Sequence, residues 1–170
     1  PSTALPSSIF DFKGLKVLLV EDVKMNQELA IEILTKKLIK VSVANHGKEG
    51  VEAVQRDTYD IVLMDMQMPV MDGCQATEEI RAFNRTLPIV AMTANAMTGD
   101  KHKCLAAGMN DYITKPINPD EMFRTIAKWV SHAKGYPASI NLVETTLEVT
   151  KDLVNNNETK AIPSISPEQN

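Results

Sequence analysis

Asp65 closes an apolar run, Ile61-Val62-Leu63-Met64, and is the carboxylate in this sequence best placed to act as a nucleophile. Glu21 and Asp22 follow a similar run, Val17-Leu18-Leu19-Val20; Thr93 follows Ile89-Val90-Ala91-Met92; Lys115 comes just after Tyr112-Ile113-Thr114. If these runs are neighbouring strands, their loops deliver three acids, a hydroxyl and an ammonium group to one edge. Carboxylates held together repel by roughly 4 kcal/mol per pair at 4 Å and an effective dielectric of about 20, so the cluster calls for a cation. Hard oxygen donors in small number suit Mg²⁺, which keeps several waters and binds through carboxylates together with a phosphate. Lys115 and Thr93 add donors for anionic, tetrahedral oxygens, which makes this a phosphoryl site. Glu21 and Asp22 are adjacent and read as a metal-holding pair. Asp65 stands alone and is the side chain to carry the phosphoryl group as an acyl phosphate, with Mg²⁺ offsetting charge during in-line transfer.

The elements that must position these groups can be read from the same pattern. Lys16–Val20, Val41–Ala44, Ile61–Met64, Ile89–Met92 and Tyr112–Thr114 are short, rich in β-branched residues and flanked by polar ones, as strands are. Between and after them apolar residues recur at helical spacing: Ala30, Ile33, Leu34 and Leu38; Val51 and Val54; Cys74, Ile80 and Phe83; Met122, Ile126, Trp129 and Val130. A further helix runs through Cys104 and Leu105, with Thr98 expected as its cap and Gly108 as its stop. Asp72 is expected to cap the third helix, and Asn118-Pro119-Asp120-Glu121 opens the last with a cap, a first-turn proline and an acid at the third position. Strict alternation predicts an α/β fold: a doubly wound, flavodoxin-like, five-stranded parallel sheet of order 2-1-3-4-5 with five helices. In such a sheet ligands bind beyond the carboxyl ends of the strands, where the charged groups gather.

The chain's 170 residues give room for one ordinary domain and a spare segment. Residues 14–132 are expected to form the domain, residues 1–13 an N-terminal linker, and residues 133–170, rich in Ser, Thr, Asn, Pro and Glu, a C-terminal linker that is mostly disordered or weakly structured. A composition of 44% hydrophobic and 24% charged residues is that of a soluble globular chain. The net charge of −4 disfavours general attraction to nucleic acid. No apolar run reaches the roughly 18 residues of a membrane span and no secretory signal is present, so this segment is expected to make no membrane contact and to be cytoplasmic. Cys74 and Cys104 have no metal-ligand spacing, and His46, His102 and His132 read as surface residues. The methionines at 64, 66, 68 and 71 read as core and loop packing.

Four ordered motifs carry a resemblance. They are Leu19-Val20-Glu21-Asp22 followed by Asn26-Gln27, then Met64-Asp65-Met66-Gln67-Met68-Pro69-Val70-Met71-Asp72-Gly73, then Met92-Thr93-Ala94, then Tyr112-Ile113-Thr114-Lys115-Pro116. Over residues 14–132 the sequence resembles the response-regulator receiver domain of two-component signalling, most closely the receivers of hybrid sensor histidine kinases. The resemblance implies that Asp65 accepts phosphate from a phosphohistidine. It implies that Glu21, Asp22, Asp65 and the backbone carbonyl of Gln67 hold Mg²⁺, that Lys115 pairs with the phosphoryl oxygens, and that its peptide bond to Pro116 is cis. Thr93 and Tyr112 would form a switch pair. A histidine kinase or a histidine-phosphotransfer domain would be the partner, docking on an apolar rim of Val23, Met25, Ala94 and Ile117, and kinase activity would belong to other domains of a parent chain. Alternatively, a haloacid-dehalogenase-like phosphohydrolase also uses a strand-end Asp, Mg²⁺ and a Lys. That chemistry wants a second acid two positions after the nucleophile, where this chain has Gln67.

Overall fold

The computed structural model describes residues 10–94 and 99–134. All lie in the first of two units into which the chain divides, Pro1–Tyr136; the segment expected as a C-terminal linker lies, beyond Lys134, outside the described residues. The elements run β1 (Lys16–Val20), α1 (Lys24–Thr35), β2 (Lys40–Ala44), α2 (Gly47–Arg56), β3 (Ile61–Asp65), α3 (Gly73–Phe83), β4 (Ile89–Thr93), α4 (Asp100–Ala107), β5 (Asp111–Thr114) and α5 (Pro119–Ala133). The sheet is parallel throughout, in the expected order β2-β1-β3-β4-β5.

Strand periodicity assigns each side chain to one of two cores. Val17, Leu19, Ile61, Leu63, Val90, Met92 and Ile113 face α1 and α5, meeting Leu34, Met122 and Ile126. Leu18, Val20, Val62, Met64, Ile89 and Ala91 face the other way, meeting Val51 and Val54 of α2, Ile80 of α3 and Cys104 of α4. Every residue of β3 and β4 is buried, which is why these strands read as continuous apolar runs, whereas edge strand β2 alternates.

Capping chemistry fixes the helix starts near the site. Asp72 accepts from Gln75 N at 2.9 Å while the Gln75 side chain accepts from Asp72 N at 3.3 Å, a complete capping box. Asn118 accepts from the amides of Asp120 and Glu121. Gly108 ends α4 at φ 105°, a conformation that a Cβ disfavours.

Four expectations are corrected. Leu38 is not on the buried face of α1; it follows the helix at φ 60° and is 62% exposed, because the chain must turn sharply into β2. Phe83, in the last position of α3, is exposed. The cap position of α4 is Gly99, which offers no side chain, and Thr98 lies outside the described residues. Finally, Phe12 is buried with its ring centroid 5.3 Å from that of Phe123, so the core reaches ahead of residue 14. Two aromatic residues beside a Pro- and Ser-rich stretch give no periodicity from which to read this packing.

Candidate functional site

β1 and β3 are adjacent and in register, so their carboxyl ends place Glu21 and Asp65 side by side. Asp65 is the last residue of β3 and Thr93 the last of β4, the strand-end positions expected from the sequence. Glu21 extends the ladder, its amide donating to Ala44 O at 3.0 Å. One carboxylate oxygen each from Glu21, Asp22 and Asp65 lies within 4.8 Å of the others. Glu21 and Asp65 are almost fully buried, at 1% and 5% exposure.

Lys115 arrives from the end of β5. Its amide donates to Thr93 O at 2.8 Å, and its Nζ lies 2.9 Å from Glu21 Oε2 and 3.3 Å from Asp65 Oδ1. The Lys115–Pro116 peptide is cis. Further donors converge on the acids. Val23 N donates to Glu21 Oε1 at 3.1 Å, and Gln67 N donates to Asp65 Oδ1 at 3.2 Å. Behind Glu21, the buried Gln27 donates through Nε2 to the Glu21 carbonyl at 2.6 Å and to Asn45 Oδ1 at 2.9 Å, fixing the backbone that aims the acids.

The two buried carboxyls titrate apart. Burial and the neighbouring Glu21 charge push Asp65 up from its ordinary 3.8 to about 6, against the Gln67 amide and Lys115. For Glu21, burial works upward, but the Lys115 hydrogen bond, the Val23 amide and the Lys115 charge together hold it below the usual carboxylate range. Burial works against the charged form of Lys115, but bonding to Glu21 and attraction to both acids raise its pKa, so it is cationic at neutral pH. Three acids against one ammonium leave a net negative, all-oxygen pocket. That donor set fits a hard divalent cation and does not resemble a soft thiolate site.

Thr93 is buried and its hydroxyl donates to Asp100 Oδ2, in the first turn of α4, at 3.1 Å. Tyr112 pairs in register with Ala91, which puts its half-buried ring on the same sheet face as Thr93, with Lys101 Nζ 5.5 Å from the ring centre. Of the four expected rim residues, Val23 (47%) and Met25 (77%) are well exposed, Ala94 is exposed, and Ile117 is half-buried against the α1–α5 core. Val70 adds a 78% exposed apolar side chain. It stands at φ 71°, where Met71 N donates to Pro69 O at 2.9 Å and bends the loop after Asp65 tightly.

Sequence reasoning assigned no role to Asn45, Asp100 or His46. Asn45 accepts from Gln27 of α1 and Asp100 accepts from Thr93 across a loop, ties that leave no periodic trace. His46 caps α2, its Nδ1 accepting from Glu49 N at 3.2 Å. The two cysteines are free, with Cys104 Sγ 3.4 Å from Met66 Sδ.

The family model described as the response regulator receiver domain matches residues 17–127. A sensor protein, GacS, of Pseudomonas syringae pv. syringae is 43% identical over 128 residues, covering 72% of this chain and 14% of that protein. The chain thus spans a small part of the length of such relatives; for hybrid signal transduction histidine kinase I of Dictyostelium discoideum, 42% identical, the share is 7%. Among solved structures, the receiver domain of sensor histidine kinase PA1611 from Pseudomonas aeruginosa PAO1, with a magnesium ion coordinated in its active site cleft, is 42% identical. The match has a TM-score of 0.67 and covers 69% of this chain and 98% of that one. The receiver domain of Ssk1, solved with the Saccharomyces cerevisiae histidine phosphotransfer protein Ypd1, is 33% identical with a TM-score of 0.67, covering 72% and 93%.

Proposed function

Because the chain belongs to the response regulator receiver family of two-component phosphorelays, we propose that Asp65 is its phosphoacceptor and that the domain relays the phosphoryl group to or from a histidine-phosphotransfer partner. The observation that carries this reading is the convergence of Glu21, Asp22 and Asp65 within 4.8 Å, with Lys115 Nζ bonded to two of them. An Asp65 carboxylate oxygen attacks phosphorus in line. The bond from phosphorus to the phosphohistidine nitrogen breaks and its electron pair stays on that nitrogen; with the other ring nitrogen already protonated, the imidazole leaves neutral. Glu21, Asp22, Asp65 and the Gln67 carbonyl would hold Mg²⁺, which when bound supplies positive charge to the phosphoryl oxygens. Lys115 turns from the acids toward those oxygens, and the Thr93 hydroxyl donates to one of them. Movement of Thr93 then frees space toward which Tyr112 turns, carrying the signal to α4 and β5.

The receiver is taken as residues 14–132 together with the packed Phe12, and its location as cytoplasmic. Among the described residues no helix is long and apolar enough to cross a membrane. Kinase activity is assigned to other domains of a hybrid-kinase parent. The hydrolase alternative lacks support, since the family match is to receivers and an amide stands where its proton donor would be.

Incubation with acetyl phosphate and Mg²⁺ is expected to give one base-labile phosphoryl group per chain, and chelation to abolish it. Steady turnover of phosphate esters without a labelled chain would instead favour the hydrolase. Transfer from a phosphorylated phosphotransfer bundle tests the rim. Met25→Glu with Ile117→Glu is expected to slow it at least tenfold, as loss of central apolar contacts does, while leaving acetyl phosphate labelling unchanged. Unaltered transfer would remove the rim from the interface.

Metal affinity should follow the ionisation of Asp65. A carboxyl that titrates near 6 holds its proton against the metal. Mg²⁺ affinity measured calorimetrically is therefore expected to be flat above about pH 7 and to fall toward about tenfold per unit below about pH 6. Each ion bound at the acid end should release about one proton to the buffer. An Asp65 of ordinary acidity would put that break near 4, so a flat affinity between pH 7 and 5 would contradict the raised value.

A further inference from the structure

A threonine hydroxyl has one proton to donate. In this structure Thr93 gives it to Asp100, Oγ1 to Oδ2 at 3.1 Å, and the acceptor is a carboxylate, the stronger kind of partner. The same proton cannot serve a phosphoryl oxygen on Asp65. Building on the proposed role of Asp65, we infer that Asp100 is a positioning residue: it holds the Thr93 hydroxyl away from the phosphoryl site, opposes occupancy of that site, and ties occupancy to the first turn of α4.

Several features make the tie consequential. Thr93 is 2% exposed, so its hydroxyl exchanges one protein partner for another and not for bulk water. Its backbone is fixed on both sides, by the β4 ladder and by the Lys115 amide on its carbonyl, which leaves side-chain rotation as the available motion. On the far side, α4 begins after Gly99 with no side-chain cap. Asp100 is the acidic residue of that first turn, and its bond to Thr93 links the end of β4 to the start of α4. When the hydroxyl rotates to a phosphoryl oxygen, Asp100 loses this bond and α4 loses that link. Tyr112 lies beside the same helix, with Lys101, the residue after Asp100, over its ring. The switch pair and the helix are therefore joined through Asp100.

The test is a titration with beryllofluoride, a non-covalent phosphoryl mimic, at saturating Mg²⁺. It uses the wild-type protein, Asp100→Ala, Asp100→Asn, Thr93→Val and the double variant Thr93→Val/Asp100→Ala. Removing the competing acceptor is expected to tighten beryllofluoride binding about ten- to a hundredfold in Asp100→Ala, the range of one hydrogen bond to a charged partner. Asp100→Asn, whose amide oxygen still accepts, should fall between wild type and Asp100→Ala. In the Thr93→Val background the gain should shrink below about twofold, because no hydroxyl remains to be held. A purely electrostatic effect of the Asp100 charge would survive Thr93→Val in full, and that result would overturn the inference, as would equal affinities of wild type and Asp100→Ala. A wild-type protein that binds beryllofluoride with neither variant pattern refutes the role of Asp100 alone. One that binds no beryllofluoride and takes no phosphate refutes the phosphoacceptor reading beneath it.

Discussion

Asp65→Asn is expected to abolish Mg²⁺-dependent phosphoryl uptake, by a factor on the order of 10³ or more, and in the same molecule to make the metal-free protein more stable. The first effect is loss of the proposed nucleophile, since an amide oxygen cannot form the acyl phosphate. The second follows from the environment of Asp65. Its folded pKa of about 6 exceeds the ordinary 3.8, so the folded state holds the proton more tightly than the unfolded chain does. Below about pH 4 the group is protonated in both states and imposes no penalty. As pH rises from about 4 to about 6 the unfolded chain ionises freely while the buried carboxyl resists, and the penalty is complete near neutrality. The difference between those two values corresponds to on the order of 3 kcal/mol. Asparagine resembles the neutral acid, so the variant should gain a large fraction of that at pH 7 and little at pH 4. Urea unfolding at both values, without metal, reads the gain. Excess Mg²⁺ should narrow the difference, because the wild-type site recovers stability by binding the ion and the variant has lost a ligand. If the variant unfolds at the wild-type midpoint at pH 7, the crowding of acids is not strained, and the case for a site built around a cation weakens with it.

The fold and the acids were legible because each rests on a local regularity. Apolar runs such as Ile61–Met64 and Ile89–Met92, alternating with helical spacing, define a parallel sheet, and in a parallel sheet the strand ends share one edge. Glu21, Asp22, Asp65, Thr93 and Lys115 follow from that geometry alone. What the sequence could not display were the ties between distant segments. Gln27 reaches the Glu21 carbonyl and Asn45, Asp100 takes the Thr93 proton, and Phe12 packs on Phe123. Each depends on a rotamer and a loop path, and no spacing announces it. Leu38 and Phe83 erred in the other direction. Both continue a helical period at or past the point where the helix ends, so hydrophobic spacing overran the buried face. The same limit applies to Asp72-Gly73. The pair reads as turn and cap, and the capping box agrees, but the reason the second residue is glycine lies in an approach between α3 and β3.

That approach yields the second large effect. Gly73→Ala is expected to destabilise the domain by about 2–4 kcal/mol and to depress phosphoryl uptake in whatever folds. A Cβ at Gly73 would overlap the backbone carbonyl of Asp65 and stand 3.1 Å from Met64 Cγ. Neither neighbour can yield cheaply. The carbonyl belongs to the end of β3, whose residues are all buried, and Met64 is fully enclosed. Overpacking a rigid core costs about 1–3 kcal/mol and more where backbone must shift, which outweighs the roughly 1 kcal/mol that alanine gains over glycine within a helix. The relief available is for α3 to back away, breaking the 3.3 Å bond from Gly73 N to Met66 O and dragging the Asp65 peptide with it. A displacement of about 1 Å at a nucleophile, the role proposed for Asp65, costs on the order of a hundredfold in rate. Gln75→Ala is the companion variant: it removes half of the capping box without crowding β3, and should cost about 1 kcal/mol with labelling preserved. Unfolding midpoints together with acetyl phosphate labelling rates separate the two cases. Should Gly73→Ala match wild type in both, α3 is free to slide on the sheet and the position of Asp65 is not set by this contact. If it instead loses both while Gln75→Ala keeps labelling, the small residue after the cap is there to let the helix reach the strand that presents Asp65.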